Sequence, residues 1–375
     1  MKKAVAIICT LLIIVASYGI VIGSKRYSKN EKALIVSAQK DKEAAGTDDI
    51  NTSSLNFYQQ LHEKADVNAL ILGDSMGQSN GASTTDKKWF NLIAKDVKTK
   101  YNSTITTDLI TGGGSTGIRS WVELNNSKIT TKYDVAYLCF GQNDQWSMTP
   151  DEFGIFYESI IIKLKKTNPN IEIIPIIQSS FRKDNAYCDV IKKLSTHYNL
   201  QYADTIKTFV NSPERYEDLT KDTEIPNDKG YSYYASTIEK IIDSNYKTNK
   251  KTNLTYSVFY KDTNKLTKFV FDTTPDINNG FNLEDGLVGE KALDSVTFNT
   301  TGSLAIIHFL KQPSGGKFSI YLDGKFLSEV DTKSSTEVSY SNLISDNLVG
   351  NHKIKIEVST IYSGESVKIL GLATN

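Results

Sequence analysis

The chain has 375 residues, of which 39% are hydrophobic and 23% are charged, enough for two folded domains. Its 43 basic and 43 acidic residues balance, so the strong positive field of a nucleic-acid-binding protein is not expected. Of the three cysteines, Cys9 lies in an apolar run and Cys139 in a predicted core strand, so a disulfide framework that includes Cys188 is not expected either.

The first predicted element is an apolar segment at the N-terminus. After Lys2 and Lys3, residues 4–23 carry no charge. A helix of that length, at about 1.5 Å per residue, spans roughly 30 Å, one hydrocarbon thickness. The run continues past the poor cleavage site "ASYG", which favours a membrane anchor at 1–24 over a removed signal peptide. Basic residues at 25–32 oppose a simple positive-inside orientation, but large domains translocate largely regardless of flanking charge, so we expect an extracytoplasmic body.

A polar stalk is predicted at 25–54 and an α/β domain at 55–248. The domain opens with the amphipathic helix "SLNFYQQLHEKA" and ends with the helix "GYSYYASTIEKIIDSNY". Between them, apolar strand-like segments alternate with helical segments, and a short fifth strand is predicted at "QYAD". The four longer strands are predicted at 69–73, 106–110, 135–140 and 172–178. This alternation is typical of a parallel sheet covered on both faces, which binds ligands beyond the carboxyl ends of its strands.

A second domain, an all-β sandwich, is predicted at 249–375. From about residue 250 no helical pattern continues, and eight short segments with alternating apolar residues follow, the first two at 254–260 and 266–272. Asp323-Gly324 separates two of these segments by two residues, the pattern of a tight β-hairpin.

Three segments of the α/β domain place polar groups after strands. Ser75, in "ILGDSMG", follows the first strand on a predicted strand-to-helix turn. The glycine-rich "TGGGSTG", residues 111–117, follows the second strand and can supply backbone N–H donors. Asn143, in "GQND", follows the third and can offer an amide donor to an oxyanion. Ordinary turn chemistry, a flexible glycine loop and a phosphate-binding loop are the alternatives, although the glycine spacing fits neither dinucleotide nor P-loop fingerprints.

Together these segments resemble the SGNH (GDSL-type) hydrolase family over residues 66–245. The resemblance implies a flavodoxin-like three-layer α/β/α fold and the cleavage or transfer of acyl esters, often acetyl groups on glycans, without a metal or other cofactor. It also implies a role for each matched residue. Ser75 would be the nucleophile, Asn143 an oxyanion donor, Gly114 and Gly117 candidate oxyanion donors, and Asp222 the triad acid.

The closing motif departs from the family pattern at one position. The family's D-x-x-H-P-N-x-x-G-Y corresponds to residues 222–231, "DTEIPNDKGY", and places Ile225 where the catalytic histidine would stand. A serine hydroxyl is a poor nucleophile without a base to accept its proton, and isoleucine cannot do so. Glu224 is a possible substitute base, with an ordinary exposed loop glutamate as the alternative. The chain's four histidines, His62, His197, His308 and His352, are not expected to reach Ser75.

The predicted sandwich resembles the jelly-roll modules that accompany carbohydrate-active esterases, and Tyr321 and Tyr362 are candidate sugar-stacking residues, with core packing as the alternative. Three hypotheses follow from the sequence. The first is an anchored ester hydrolase or O-acyltransferase that acts on cell-envelope carbohydrate with an atypical triad. The second is a catalytically inactive protein of the same fold that binds glycan or serves as an assembly subunit. A plain structural or nucleotide-binding flavodoxin-like domain is a third.

Overall fold

A computed structural model describes residues 55–127, 131–251, 257–283 and 286–375. All of them belong to one compact unit that spans residues 54–375. The predicted anchor at 1–24 and the predicted stalk at 25–54 lie outside the described residues. Among the helices of the described ranges, none has the length and apolar character needed to cross a bilayer.

The α/β part contains five parallel strands in the order β2-β1-β3-β4-β5. These are β1 (Val67–Gly73), β2 (Ile105–Thr111), β3 (Val135–Cys139), β4 (Glu172–Ile177) and β5 (Ala203–Asp204). Strand β1 pairs with β2 on one side and β3 on the other, so Gly73 lies opposite both Thr111 and Cys139. Parallel strands end at the same edge, and this register therefore brings the loops after β1, β2 and β3 together.

Helices cover both faces of this sheet. They are α1 (Phe57–His62), α2 (Trp89–Tyr101), α3 (Gly117–Asn126), α4 (Pro150–Thr167), α5 (Ala186–His197), α6 (Thr205–Val210) and α7 (Asp228–Thr248). One apolar cluster, around Trp121 and Phe153, fills one face, and a second, around Trp89 and Tyr234, fills the other. The structure confirms a parallel-sheet α/β domain with helices on both faces. It adds α3 and α6, whose short apolar patterns did not stand out in the sequence.

The C-terminal part contains two antiparallel sheets. Its strands are β6 (Val270–Asp272), β7 (Ile277–Asn279), β8 (Leu287–Gly289), β9 (Ser295–Thr300), β10 (Ala305–Lys311), β11 (Lys317–Leu322), β12 (Lys325–Asp331), β13 (Val338–Ser345), β14 (His352–Thr360) and β15 (Val367–Thr374). One sheet has the order β13-β10-β15-β6, with β8 also pairing with β15, and the other has the order β12-β11-β14-β9-β7. A core around Phe298, Phe309 and Phe318 lies between them.

Several boundaries in this part differ from the sequence prediction. Residues 257–260, the described part of the strand predicted at 254–260, are not extended in a ladder, and a 3₁₀ helix at Lys261–Thr267 replaces the start of the next predicted strand. Glu158 explains this, since its buried carboxylate accepts hydrogen bonds from this segment, which holds the backbone against α4 and not in a sheet. The hairpin prediction is confirmed, because Asp323 and Gly324 have φ values of 51° and 80° and join β11 to β12.

The sheet that contains β13 packs on the α/β part. Strand β13 contacts α3, and Ile306 and Ala373 from this sheet, with Leu304 just before β10, join the apolar cluster around Trp121. The two parts thus share this apolar cluster. This contact places β13 beside the loop that follows β2.

Candidate active site

Ser75 lies on the turn that leaves β1 at the carboxyl edge of the sheet. Gly73 allows this turn, since a Cβ on it would lie 2.6 Å from the carbonyl oxygen of Cys139. Asp74 is fully buried, and its Oδ1 accepts a hydrogen bond from the N–H of Met76 at 2.9 Å. Ser75 itself is partly exposed, and its hydroxyl forms no hydrogen bond with the described residues. The buried, hydrogen-bonded Asp74 thus anchors the turn that places Ser75 at the surface.

The loop after β2 forms a tight turn beside this hydroxyl. The N–H of Ser115 donates to the carbonyl of Gly112 at 3.1 Å, and Gly114 has a φ of +72°. A positive φ at the third position only is the signature of a type II turn. A Cβ on Gly113 would lie 3.6 Å from Ser75 Oγ. Within the described residues the N–H groups of Gly113 and Gly114 donate no hydrogen bond, so both remain available to a ligand.

Asn143 connects the three loops. Its Nδ2 donates to Asp74 Oδ2 at 3.1 Å and to the carbonyl of Ser115 at 3.2 Å. The sequence expectation that Asn143 lies at the same edge as Ser75 agrees with this placement. Both amide hydrogens are engaged, however, so Asn143 donates to an oxyanion only after releasing one of these partners.

Two buried carboxyl groups support the same loops. Burial raises the pKa of Asp74 to about 6 and that of Asp144 to about 7. Asp144 Oδ1 accepts the N–H of Gly117 at 2.6 Å, and its Oδ2 has no partner among the described residues. Gln178 donates to both oxygens of Asp74. The N–H of Gly117 is thus committed to Asp144 at the start of α3 and is not a free oxyanion donor, whereas the N–H of Gly114 is.

The closing loop packs against the segment that follows Ser75. A Cβ on Gly81 would lie 2.0 Å from the carbonyl oxygen of Pro226 and 3.0 Å from Ile225 Cγ2. Ile225 is partly buried against the core, and its N–H donates to Asp222 Oδ1 at 3.0 Å. The carboxylate of Asp222 therefore forms a local hydrogen bond within its own exposed loop. Glu224 is also exposed, and no hydrogen bond from a described residue holds it. The side chain at position 225, where the sequence resemblance would place a histidine, is thus aliphatic and packs against the core.

No histidine replaces it. All four histidines lie in the described ranges, and each imidazole has its hydrogen-bonding partners away from Ser75. His62 bonds Tyr246, His197 bonds Ser257, His308 contacts Ser341 and Glu123, and His352 bonds Asp323 and Val349. The sandwich does pack near the site, but its histidines do not enter it. The centre therefore contains a serine and free donors without an imidazole.

The structure adds a residue from the sandwich that sequence reasoning missed. Tyr340 on β13 donates from its Oη to the carbonyl of Gly113 at 2.9 Å. The same Oη lies 1.8 Å from the position that a Cβ on Gly114 would occupy. Strand β13 was not predicted, and no local pattern links residue 340 to a loop more than two hundred positions earlier. Only the packing of the two parts brings them together.

Two of the candidate sugar-stacking aromatic side chains are strongly exposed. Trp146, in the turn that follows Asn143, is 80% exposed. Of the two tyrosines singled out in the sequence, Tyr362 is 72% exposed, whereas Tyr321 is half-buried between Phe326 and Lys355. Among the described residues, no group of three or more His, Cys, Asp or Glu side chains is arranged to hold a metal ion.

Comparison with solved structures shows similarity in fold to a two-domain protein. Two crystal structures of a two-domain esterase (CEX) active on acetylated mannans, one co-crystallised with mannopentaose, match with a TM-score of 0.70. Their identities are 15% and 17%, and each match covers 84% of this chain and 93% of the other. An acetylxylan esterase from Geobacillus stearothermophilus matches with a TM-score of 0.41 and 18% identity, over 48% of this chain and 94% of its own.

Comparison with curated sequences found no significant match to the chain. The family comparison did find one. Residues 71–233, which include Ser75, the glycine turn, Asn143 and the closing loop, match the sequence description of the GDSL-like Lipase/Acylhydrolase family. The chain therefore contains a GDSL/SGNH hydrolase domain, followed by antiparallel β-sheets.

Proposed function

We propose that this domain is a serine ester hydrolase or O-acyltransferase that acts on acylated carbohydrate of the cell envelope. The observation that carries the proposal is the free hydroxyl of Ser75 at the sheet edge beside the unpaired N–H groups of Gly113 and Gly114. A nucleophile next to preorganised donors is the arrangement that acyl transfer needs. The family match over residues 71–233 supports the same chemistry.

In the proposed reaction, Ser75 Oγ attacks the acyl carbonyl, and the negative charge that develops on the carbonyl oxygen is stabilised by the N–H of Gly114. The carbon–oxygen bond to the sugar then breaks, and the sugar oxygen takes up a proton as the acyl-serine forms. Water or an acceptor hydroxyl releases the acyl group and regenerates Ser75. The proton of the Ser75 hydroxyl has to be accepted by a base and then delivered to the sugar oxygen, and the side chain of Ile225 can do neither.

The missing imidazole sets the expected rate. Oxyanion stabilisation and binding alone leave about 10³–10⁴-fold acceleration over water when a triad is disabled. We therefore propose slow turnover, with Glu224 on the closing loop as the candidate acceptor for the Ser75 proton. Glu224 is exposed, and no hydrogen bond or ion pair with a described residue fixes its carboxylate, so it is free to move toward the site.

Carbohydrate is the proposed substrate for two reasons. The two-domain relative in fold is described as active on acetylated mannans, and its match spans both parts of this chain. Trp146 presents an exposed indole face in the turn after Asn143, and such faces stack on sugar rings. The sandwich either binds glycan itself or only supports the first domain. Glycan-array binding by the full chain with Trp146→Ala and Tyr362→Ala variants separates these roles.

A second candidate is an inactive glycan-binding or assembly subunit, and a specific observation favours it. Motif residues near Ile225 have structural roles in the closing loop. Asn227 caps α7 by accepting the N–H groups of Lys229 and Gly230. A Cβ on Gly230 would lie 2.2 Å from the carbonyl oxygen of Leu219. These residues are thus needed for the loop whether or not Ser75 reacts.

A fluorophosphonate probe distinguishes the two candidates. We expect slow covalent labelling of the wild-type chain that disappears in Ser75→Ala, because Ser75 has free access and nearby donors for the phosphoryl oxygen. Ser79→Ala is the matched control, since Ser79 is a buried serine in the same segment. No labelling of the wild-type chain at high probe concentration would remove the enzyme hypothesis and leave the binding one.

Restoring the base tests the geometry directly. Ile225→His is expected to raise turnover of a simple acetyl ester by about 10²–10⁴-fold, the usual contribution of a general base. Asp222 Oδ2 accepts no hydrogen bond from a described residue and is available to orient the new imidazole. Ile225→Gln supplies a polar side chain without a basic nitrogen and is expected to change little. An unchanged rate in Ile225→His would show that the loops no longer support a triad.

We further propose that residues 1–24 anchor the protein in the membrane with the body outside the cytoplasm. The support is the uncharged apolar run at 4–23. Fractionation of cells should recover the full chain with membranes, and protease added to intact cells lacking an outer barrier should digest the body. Recovery in the soluble fraction, or protection from protease, would contradict the anchor or the orientation respectively.

A further inference from the structure

Strand β13 of the sandwich holds the glycine turn at consecutive positions. Val338 Cγ2 lies 2.8 Å from the position of a Cβ on Gly112, so the Val338 side chain packs directly against the Gly112 backbone. Ser339 Oγ accepts from Arg119 Nε at 3.0 Å, and Arg119 Nη1 donates to Ser115 Oγ at 2.7 Å. Strand β13 thus contacts the first residue of the turn, Gly112, directly and is linked to the last, Ser115, through Arg119.

Tyr340 acts on the middle of the turn. Its Oη donates to the carbonyl of Gly113, which belongs to the same peptide unit as the N–H of Gly114. In a trans peptide the C=O and the N–H point in opposite directions. Fixing the carbonyl toward the sandwich therefore fixes the N–H of Gly114 away from it. That N–H is one of the two that remain unpaired among the described residues beside Ser75.

This peptide has an alternative orientation. Type I and type II turns differ mainly by a rotation of the central peptide through roughly half a turn. In the alternative, the carbonyl of Gly113 would take the place of the N–H and oppose an oxyanion electrostatically. Gly114 reaches its φ of +72° without strain because it has no Cβ, and a side chain there would also collide with Tyr340 Oη. Glycine makes both orientations accessible, so the choice depends on an external contact.

We infer that Tyr340 is a positioning residue for the proposed reaction: the sandwich supplies the phenol that locks the Gly113–Gly114 peptide with its N–H available as the oxyanion donor. This inference rests on the proposed function of Ser75. It makes the second domain part of the catalytic centre and not only a binding module. The phenol is itself held in place, since its ring stacks on Phe309 with centroids 6.2 Å apart and lies under Lys311 Nζ at 4.6 Å.

The test uses Tyr340→Phe in the full chain, which keeps the ring contacts and removes only the hydroxyl. With a simple acetyl ester we expect kcat to fall roughly five- to tenfold, the weight of one hydrogen bond, while KM stays within twofold. Fluorophosphonate labelling of Ser75 is expected to slow by a similar factor. Tyr101→Phe is the matched control, because it removes a half-buried phenol that donates to Asp243 on α7, and it is expected to change neither rate.

Hydrogen–deuterium exchange of the full chain gives a readout that does not need activity. Peptides that cover residues 109–118 should exchange faster in Tyr340→Phe and not in Tyr101→Phe, since the turn loses its central anchor. Unchanged kcat together with unchanged exchange would overturn the inference. If the wild-type chain neither turns over esters nor labels at Ser75, the proposed function fails. In that case the exchange alone decides whether Tyr340 locks the peptide, and unchanged exchange again overturns it.

Discussion

Replacing Asp144 by asparagine is expected to stabilise the protein relative to wild type increasingly as pH rises from about 4 to about 7. The carboxyl group of Asp144 is fully buried, and burial raises its pKa from 3.8 to about 7. The folded protein therefore holds a proton on this group over a range where the unfolded chain has lost it. Stability falls with pH wherever the folded state binds more protons, so this group favours the folded state fully only below about pH 4.

The size of the effect follows from the pKa. At about 1.4 kcal/mol for each pH unit, a rise from 3.8 to about 7 corresponds to about 4 kcal/mol of stability lost between those limits. Asparagine has no proton to lose. Its Oδ1 can still accept the N–H of Gly117, which bonds Asp144 Oδ1 in the wild type. Asp74 lies close enough that its charge also raises the pKa of Asp144, so the substitution relieves that repulsion as well.

Urea unfolding of the full-length wild type and Asp144→Asn at pH 4.5, 6 and 8 measures this difference. We expect the free energies of unfolding of the two proteins to differ least at the lowest pH. At the highest pH, Asp144→Asn should be more stable than the wild type by one to several kcal/mol, with about 4 kcal/mol as the upper limit. Asp189→Asn, at an exposed carboxylate on α5, serves as the control and should give curves parallel to the wild type. Parallel curves for Asp144→Asn would refute the reasoning, because they would mean that Asp144 ionises in the fold as readily as in the unfolded chain.

Two further substitutions test the packing that positions the site. Glu158→Gln is expected to cost about 1–3 kcal/mol of unfolding free energy, because the NH₂ group that replaces one carboxylate oxygen would face the N–H donor of either Phe259 or Tyr260. A loss below about 0.5 kcal/mol in urea unfolding, the effect of an ordinary surface change, would show that this contact is not held. Gly81→Ala should displace the closing loop, because a Cβ there would lie 2.0 Å from the carbonyl oxygen of Pro226. The displaced loop should slow labelling of Ser75 by the fluorophosphonate probe. A labelling rate near that of the wild type would show that the two loops are not coupled.

Local pattern was sufficient for much of the α/β domain. Strands β3 and β4 are wholly buried, and such strands appear in sequence as continuous apolar runs between amphipathic helices. Parallel strands share a carboxyl edge, so the positions of Ser75 and Asn143 after β1 and β3 were enough to predict that they lie together. The start of α7 also has a local cause, because Asn227 caps the helix by accepting hydrogen bonds from the N–H groups of Lys229 and Gly230.

Other features depend on contacts that no local pattern records. The sequence could not show that the amide of Asn143 is engaged by Asp74 and Ser115, or that Gly117 donates to a buried Asp144. Whether an imidazole from elsewhere in the chain reaches Ser75 is likewise a question of three-dimensional distance, and the partners of all four histidines answer it.

The amino-acid sequence by itself determined the alternation of strands and helices, the serine at the sheet edge and the aliphatic residue at position 225, because each is a property of neighbouring residues. Only the tertiary structure decided that Tyr340 meets the Gly113–Gly114 peptide. That contact joins residues far apart in the chain, and it exists because apolar side chains of the sandwich and of α3 bury one another and carry β13 to the edge of the site.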